Sequence, residues 1–159
     1  MMRKAPIDMQ RVRAKHLALR DQFEAERHKP PTRKQMQAWL EPMRKAFREI
    51  KTGYVDSHRG YAVTRIHHAD NDVARVDHCI NGFVGMLSRI APEFDVSALT
   101  KVSKKLEAGV LLTVAEIDAC FATLNAAEDR LMCFTRAQLK DAATTEMIHI
   151  DFQRMGLAA

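Results

Sequence analysis

The residues best suited to metal or acid–base chemistry lie near the middle of the chain. Histidine, aspartate and cysteine are concentrated there, at His67, His68, Asp70, Asp72, Asp77, His78 and Cys79. Imidazole, carboxylate and thiolate groups bind transition metals when three or four of them surround one centre. On a helix, however, His68 and Asp72 would lie on a different side from His67 and His78. The spacing therefore predicts no metal site, and we expect no cofactor.

Short motifs of enzymes are also missing from the sequence. It contains no HExxH or CxxC metal motif, no GxSxG nucleophile motif and no glycine-rich phosphate loop. We therefore predict a protein that is not an enzyme and has no catalytic residues. A metal-dependent enzyme is the alternative that the sequence favours least.

The positive charge of the chain is concentrated at its amino-terminal end. Residues 1–51 contain 14 Lys/Arg and 6 Asp/Glu, a balance of +8, whereas residues 52–159 contain 11 and 14, a balance of −3. Such polarity steers association with an acidic partner, which can be nucleic acid, a protein surface or anionic lipid. A solvated helix face with surplus lysine and arginine would give the same composition.

Three groups of residues are our candidates for partner binding. Two are basic columns at helical spacing, and the third is a loop with tyrosine and arginine, residue types that anchor interfaces. The candidates are Arg13, Arg20 and Arg27; Arg44, Arg48 and Lys51; and Tyr54, His58, Arg59 and Tyr61. The alternative for the loop is that both tyrosines only pack it onto the helices.

One apolar stripe dominates the hydrophobic pattern. Its members recur at alternating intervals of three and four: Ile66, Ala69, Val73, Val76, Ile80, Phe83, Leu87 and Ile90. This period predicts a long central helix over about 63–91. Gly82 and Gly85 within it indicate close approach of another backbone or a kink, and they also allow packing against a second copy of the chain.

Two helices are predicted before this one. The first covers about Ile7–Arg27 and should bury a stripe made of Met9, Val12, His16, Leu19 and Phe23. The second begins after Thr32, which forms a capping box with Gln35. Pro42 should kink this second helix or split it in two, because proline lacks an N–H donor and clashes with the preceding turn.

Further helices are predicted after Pro92. One begins near Ser97 and ends at Gly109, and an apolar connector at 110–112 should be buried. Capping boxes at Thr113 and Thr135, each with Glu or Gln three residues later, begin two more helices. Residues 144–155 fit a helix or a strand. The segment 97–124 has the order helix, turn, helix, but two carboxylates at the start of its second helix disfavour base reading in DNA.

The elements together predict an all-α, single-domain bundle over 1–159. We expect six to seven helices around the long central helix, with a small β-hairpin near 53–64. A basic helical part would cover 1–52, and a central and carboxy-terminal helical part would cover 62–156. No apolar run is long enough to cross a membrane, and no leader peptide is visible, so we expect a cytoplasmic protein without membrane contact.

The function that these patterns favour is that of a small, non-enzymatic intracellular interaction protein. Its partner would be a protein or a protein–nucleic acid complex. Regulation or inhibition of a nucleic-acid-handling complex, as by accessory proteins of mobile elements or phages, is the setting we expect. The first alternative is direct nucleic-acid binding through the basic amino-terminal third, which would be strongly salt-dependent. A self-associating scaffold or homodimer is a further alternative.

Overall fold

The computed structural model describes residues 6–52, 57–58, 61–62, 65–67 and 73–157. Its helices are α1 (Met9–Arg27), α2 (Arg33–Lys51), α3 (Val76–Ile90), α4 (Ser97–Glu107), α5 (Val114–Leu131), α6 (Arg136–Thr145) and α7 (Phe152–Leu157). The described part of the chain thus contains seven helices, and the predicted all-α bundle is confirmed.

Helices α2 to α7 share one cluster of buried apolar side chains. Helix α3 lies at its centre, because it packs against α2, α4 and α6. Trp39 of α2 contacts Phe83 of α3 edge to face, with ring centroids 5.6 Å apart. Phe47 and Phe121 form a similar pair between α2 and α5 at 6.0 Å. Helix α3 therefore contacts three other helices of the bundle, as expected of the predicted central helix.

The predicted length of the central helix is wrong, because α3 begins only at Val76. The preceding residues form strands β3 (Arg65–His67) and β4 (Val73–Arg75), which pair antiparallel with Ile66 opposite Ala74. Ile66 and Val73 are β-branched, and such residues fit a strand better than a helix. The regular apolar spacing therefore continues from the β3–β4 hairpin into α3, although the secondary structure changes from strand to helix between them. Ala69, another member of the stripe, lies outside the described residues.

A second small hairpin precedes strands β3 and β4 in the chain. Strands β1 (Ser57–His58) and β2 (Tyr61–Ala62) pair antiparallel, with Ser57 opposite Ala62. This agrees with the hairpin predicted near 53–64. In the described residues, sheet structure is limited to these two-stranded pairs.

The start of α2 was predicted correctly, and of the two effects expected of Pro42, a kink or a split, the split does not occur. The Thr32 side chain accepts a hydrogen bond from Gln35 N at 3.1 Å, and Gln35 Oε1 accepts one from Thr32 N at 2.9 Å. Pro42 lies inside a single helix of 19 residues, so it does not split α2. Burial of Met36, Leu40 and Phe47 holds the helix to the core on both sides of the proline.

The connector between α4 and α5 is mostly exposed rather than buried. Gly109, with φ 69°, ends α4, and Thr113 begins α5 with the predicted capping box. Between them Val110 is half-exposed and the Leu111 residue is 83% exposed. Leu112, the third apolar residue of the connector, is partly buried against the core. The predicted burial is therefore wrong for Val110 and Leu111.

The carboxy-terminal segment contains both a helix end and a new short helix. Helix α6 ends at Thr145, and α7 begins at Phe152 after a turn and four residues, 148–151, without regular secondary structure. A Cβ atom at Gly82 would lie 3.2 Å from Ile148 Cγ1, and one at Gly85 would lie 2.5 Å from Glu146 Oε2. The two glycines therefore admit this segment of the same chain, which removes the reason for expecting a second copy there.

Candidate partner-binding surfaces

Helix α1 stands apart from the core of the molecule. Its side chains are exposed except for Glu26, which is half-buried, and none is buried. The predicted burial of its apolar stripe is therefore wrong. Nineteen residues at a rise of about 1.5 Å make a helix roughly 28 Å long. Its amino-terminal end is capped by Asp8, whose carboxylate accepts hydrogen bonds from Gln10 N and Arg11 N.

The base of α1 is fixed to the start of α6. Glu26 Oε2 lies 2.7 Å from Arg136 Nη1, and the backbone N–H of Arg136 donates to Lys29 O at 2.9 Å. Lys29 and Arg136 hold the pKa of Glu26 below its usual value, Lys29 having the larger effect. The attachment is thus made at one end of the helix and leaves its apolar positions uncovered.

These apolar positions form a narrow line, which we call the α1 seam. It consists of Met9, Val12, His16, Leu19 and Phe23, at intervals of three and four residues. The apolar members are each about half exposed. Leu17 is similarly exposed at 57%, against 51% for Leu19, but lies on another side of the helix. Alternating intervals of three and four are typical of a coiled-coil interface.

A basic column runs beside the seam, as the sequence predicted. It consists of Arg13, Arg20 and Arg27, and all three are exposed. Arg27 forms an ion pair with Glu24 at 3.2 Å. In the part of the chain that the structure describes, Arg13 and Arg20 have no ion pair. The α1 column therefore carries charge that the described residues leave largely uncompensated.

The second predicted column, on α2, is paired within the molecule. The side chain of Arg44 is only 14% exposed, and it donates to Glu128 Oε1 at 3.0 Å and Asn125 Oδ1 at 2.9 Å. Lys51 donates to Asp118 Oδ1 at 2.7 Å. The expectation of an exposed basic face is therefore wrong for Arg44, which joins α2 to α5.

Arg48, the third member of this column, is half-exposed. It donates a hydrogen bond to Glu41 on the same helix. Such an exposed pair contributes little to stability, so Arg48 can exchange Glu41 for another acceptor. Of the three residues, Arg48 thus keeps the best access to a partner.

The loop candidates are only partly described. Tyr54 and Arg59 lie outside the described residues. His58 and Tyr61 face each other across the β1–β2 pair, and the structure describes their backbone. A role for these four residues in partner binding stays a prediction.

The described members of the central His/Asp/Cys cluster lie in two elements, His67 in β3 and Asp77, His78 and Cys79 in α3. Asp77 is buried and accepts two hydrogen bonds from Arg75, at 3.1 and 3.0 Å. Burial, and to a smaller extent the charge of Asp77, raises the pKa of the Cys79 thiol, so this group stays protonated at neutral pH. His68, Asp70 and Asp72 lie outside the described residues. Within the described ranges, no three His, Cys, Asp or Glu side chains are grouped to hold a metal ion.

Sequence reasoning missed two features of these surfaces. The apolar stripe of α1 was interpreted as a core stripe, because its spacing is the same as that of the buried stripe in α3 and does not tell whether a helix is covered. The ion pairs of Glu128 with Arg33 and Arg44 had no local signal, because Glu128 lies more than 80 residues from either arginine. Long-range partners of this kind decide which charges remain exposed.

Known proteins offer no guide to these surfaces. Comparison with protein-family models, with curated proteins and with solved structures gives no match. In the ranges that the structure covers, no helix has the length and apolar content to cross a membrane. The function must therefore be inferred from the surfaces themselves.

Proposed function

We propose that this protein is a non-enzymatic interaction protein that binds a macromolecular partner through α1. The observation that carries the proposal is the α1 seam, which exposes four apolar side chains on a helix that buries none. The proposed setting is regulation or inhibition of a nucleic-acid-handling complex. The positive balance of residues 1–51 supports an acidic partner of this kind.

The energetics of an uncovered helix support the same proposal. Most helices in proteins owe their stability mainly to packing of an apolar face rather than to intrinsic helix propensity. Helix α1 gains no such packing from the described residues. A partner that covers the seam would supply the missing burial, at about 25 cal/mol for each Å² of apolar surface removed from water.

Paired substitutions on α1 test the proposal. The full chain carries Leu19→Asp in the seam, and the matched control carries Leu17→Asp, the same change at a similarly exposed position two residues away. Each protein is immobilised and incubated with cell lysate, with and without nuclease. Denaturant unfolding should give both variants wild-type stability within about 0.5 kcal/mol, because neither leucine is buried.

The proposal expects a nuclease-resistant partner that wild type and the Leu17 variant retain and the Leu19 variant loses. Retention by all three proteins would contradict a role for the seam. Loss from both variants would also contradict it, because a general effect on α1 would then explain the result.

Direct nucleic-acid binding is the second candidate, favoured by Arg13 and Arg20. Gel shifts over a salt series with duplex DNA test it. If these arginines contact phosphates, the Arg13→Glu/Arg20→Glu variant should reduce the dependence of log affinity on log salt by about two. Lys104→Glu, an exposed charge on α4, is the control. Absence of binding by the wild type at low salt would exclude this candidate.

A further inference from the structure

We infer that the partner segment that covers α1 is an acidic amphipathic helix, which pairs with the seam as a two-stranded coiled coil. The inference rests on the proposed function and adds the chemistry of the partner. It depends on the width of the α1 seam and on the charges beside it.

The seam has the width of a coiled-coil interface. In heptad terms Met9, His16 and Phe23 occupy a positions, and Val12 and Leu19 occupy d positions. The next d position is Glu26, whose carboxylate is bonded to Arg136 and Lys29. The seam therefore ends at Phe23 and is about 20 Å long. A helix buried in a globular core would show a wider apolar face.

The positions beside the seam select an acidic partner. The basic column, Arg13, Arg20 and Arg27, occupies the e positions, and Lys15 occupies a g position. Residues at e and g form the interhelical ion pairs that determine partner choice in coiled coils. A partner helix with Glu or Asp at these positions would be attracted along the whole seam, and one with Lys or Arg would be repelled.

The same charges disfavour a second copy of this chain. In a parallel pair Arg20 of one copy would face Lys15 of the other, and in an antiparallel pair the basic columns would face each other. The one acidic g position is Asp8. Its carboxylate already caps α1, accepting from Gln10 N at 3.0 Å and Arg11 N at 3.2 Å. A parallel homodimer would thus set the repulsion between Lys15 and Arg20 against a single kind of attractive contact, between Asp8 and Arg13 of the other copy. An antiparallel homodimer would place the basic columns together.

A bilayer surface or a nucleic acid would match only part of this surface. An interfacial helix uses a broad apolar face, whereas the seam is one residue wide and includes His16. Nucleic-acid phosphates would pair with Arg13 and Arg20 and leave the apolar side chains in water. An acidic amphipathic helix can both cover the apolar side chains of the seam and form ion pairs with the basic column.

Three synthetic helical peptides of about three heptads test the inference against the full chain. The first has Leu at a and d and Glu at e and g. The second replaces each Glu by Lys, and the third keeps Glu but has Ser at a and d. Affinities are measured by fluorescence anisotropy for wild type, Leu19→Asp and the control Leu17→Asp. Analytical ultracentrifugation gives the oligomeric state of the chain alone.

The inference expects the Leu/Glu peptide to bind at least about tenfold more tightly than either other peptide. Binding should weaken as salt is raised, because exposed ion pairs are screened. The Leu19→Asp variant should lose binding of the Leu/Glu peptide, and the Leu17→Asp variant should retain it. Equal binding of the Glu and Lys peptides, or tighter binding of the Ser peptide, would overturn the inference.

Two outcomes separate this inference from the proposed function. If lysate capture depends on Leu19 but the Glu peptide does not bind better than the Lys peptide, the partner chemistry is wrong and seam-mediated binding stands. If the chain alone forms a dimer that Leu19→Asp abolishes, a second copy covers the seam and the acidic partner is excluded. Binding of duplex DNA or anionic vesicles that competes with the Glu peptide and survives Leu19→Asp would also exclude it.

Discussion

At the scale of single residues, two helix ends show the same geometry with different amino acids. After α4, Gly109 N donates to Leu106 O and Val110 N to Lys105 O, with φ 69° at Gly109. After α6, Met147 N and Ile148 N make the equivalent bonds, with φ 57° at Met147. This Schellman motif normally has glycine at the left-handed position, because a Cβ atom is strained there.

The two positions should respond oppositely to substitution. Met147→Gly should raise the free energy of unfolding by roughly 0.5–1 kcal/mol, because the strain at φ 57° is relieved and the Met147 side chain is 91% exposed. Gly109→Ala should lower it by about 1 kcal/mol. Urea unfolding of both variants measures the changes. A loss of stability in Met147→Gly would mean that its side chain makes contacts that the structure does not show.

At this scale, contacts between residues close in sequence were predictable, and contacts between distant residues were not. The capping boxes at Thr32, Thr113 and Thr135 were predicted from residues three apart, and all three are present. Arg44 was assigned to a surface because helical spacing gives the face of a residue but not the neighbour across that face. Its partner Glu128 is on another helix.

At the scale of elements, Glu116 ties the start of α5 to α4. Its carboxylate accepts from Lys105 Nζ at 2.5 Å and from the Thr113 backbone N–H at 2.9 Å. The hydrogen bond from Lys105 is the larger cause, and the Thr113 bond the second, of a pKa lowered from 4.5 to about 2. Protonation of Glu116 therefore favours the unfolded chain, which takes up the proton at a higher pH.

Glu116→Gln should make the free energy of unfolding depend less steeply on pH in the acid range. Glutamine keeps the capping box but removes the charge that Lys105 pairs with. In the wild type this contribution is complete above pH 4.5 and is lost as the pH falls to about 2. The variant should be less stable at neutral pH and lose less stability across that range, as measured by denaturant unfolding. Glu107→Gln is the control, and an acid limb as steep as that of the wild type in Glu116→Gln would contradict the assignment.

Helix existence was predictable from periodicity, but helix burial and extent were not. The stripe before Val76 kept the helical period although Ile66 and Val73 lie in strands, because apolar spacing of three and four does not exclude a hairpin. The stripe of α1 kept the same period although nothing in the described chain covers it. A repeating apolar pattern indicates which face of a helix is hydrophobic, but whether the rest of the chain or a partner covers that face depends on the tertiary structure.

At the scale of the whole molecule, the described chain divides into a packed body and one projecting helix. Helices α2 to α7 share a core in which the buried Glu128 pairs with Arg33 and Arg44. Helix α1 joins this body through Glu26 and Arg136. The prediction of a single domain over 1–159 stays a prediction. The separation of seam from core is what makes α1 available for binding.

The central claim is that the α1 seam is uncovered in the free protein and covered by a partner. Hydrogen–deuterium exchange on the full chain tests it most directly, because amide protection reports local stability. The account expects the amides of α1 to exchange much faster than those of α5 in the free protein, and to slow when the Leu/Glu peptide or the captured partner is added. Amides of α1 that are as protected as those of α5 in the free protein would contradict the claim.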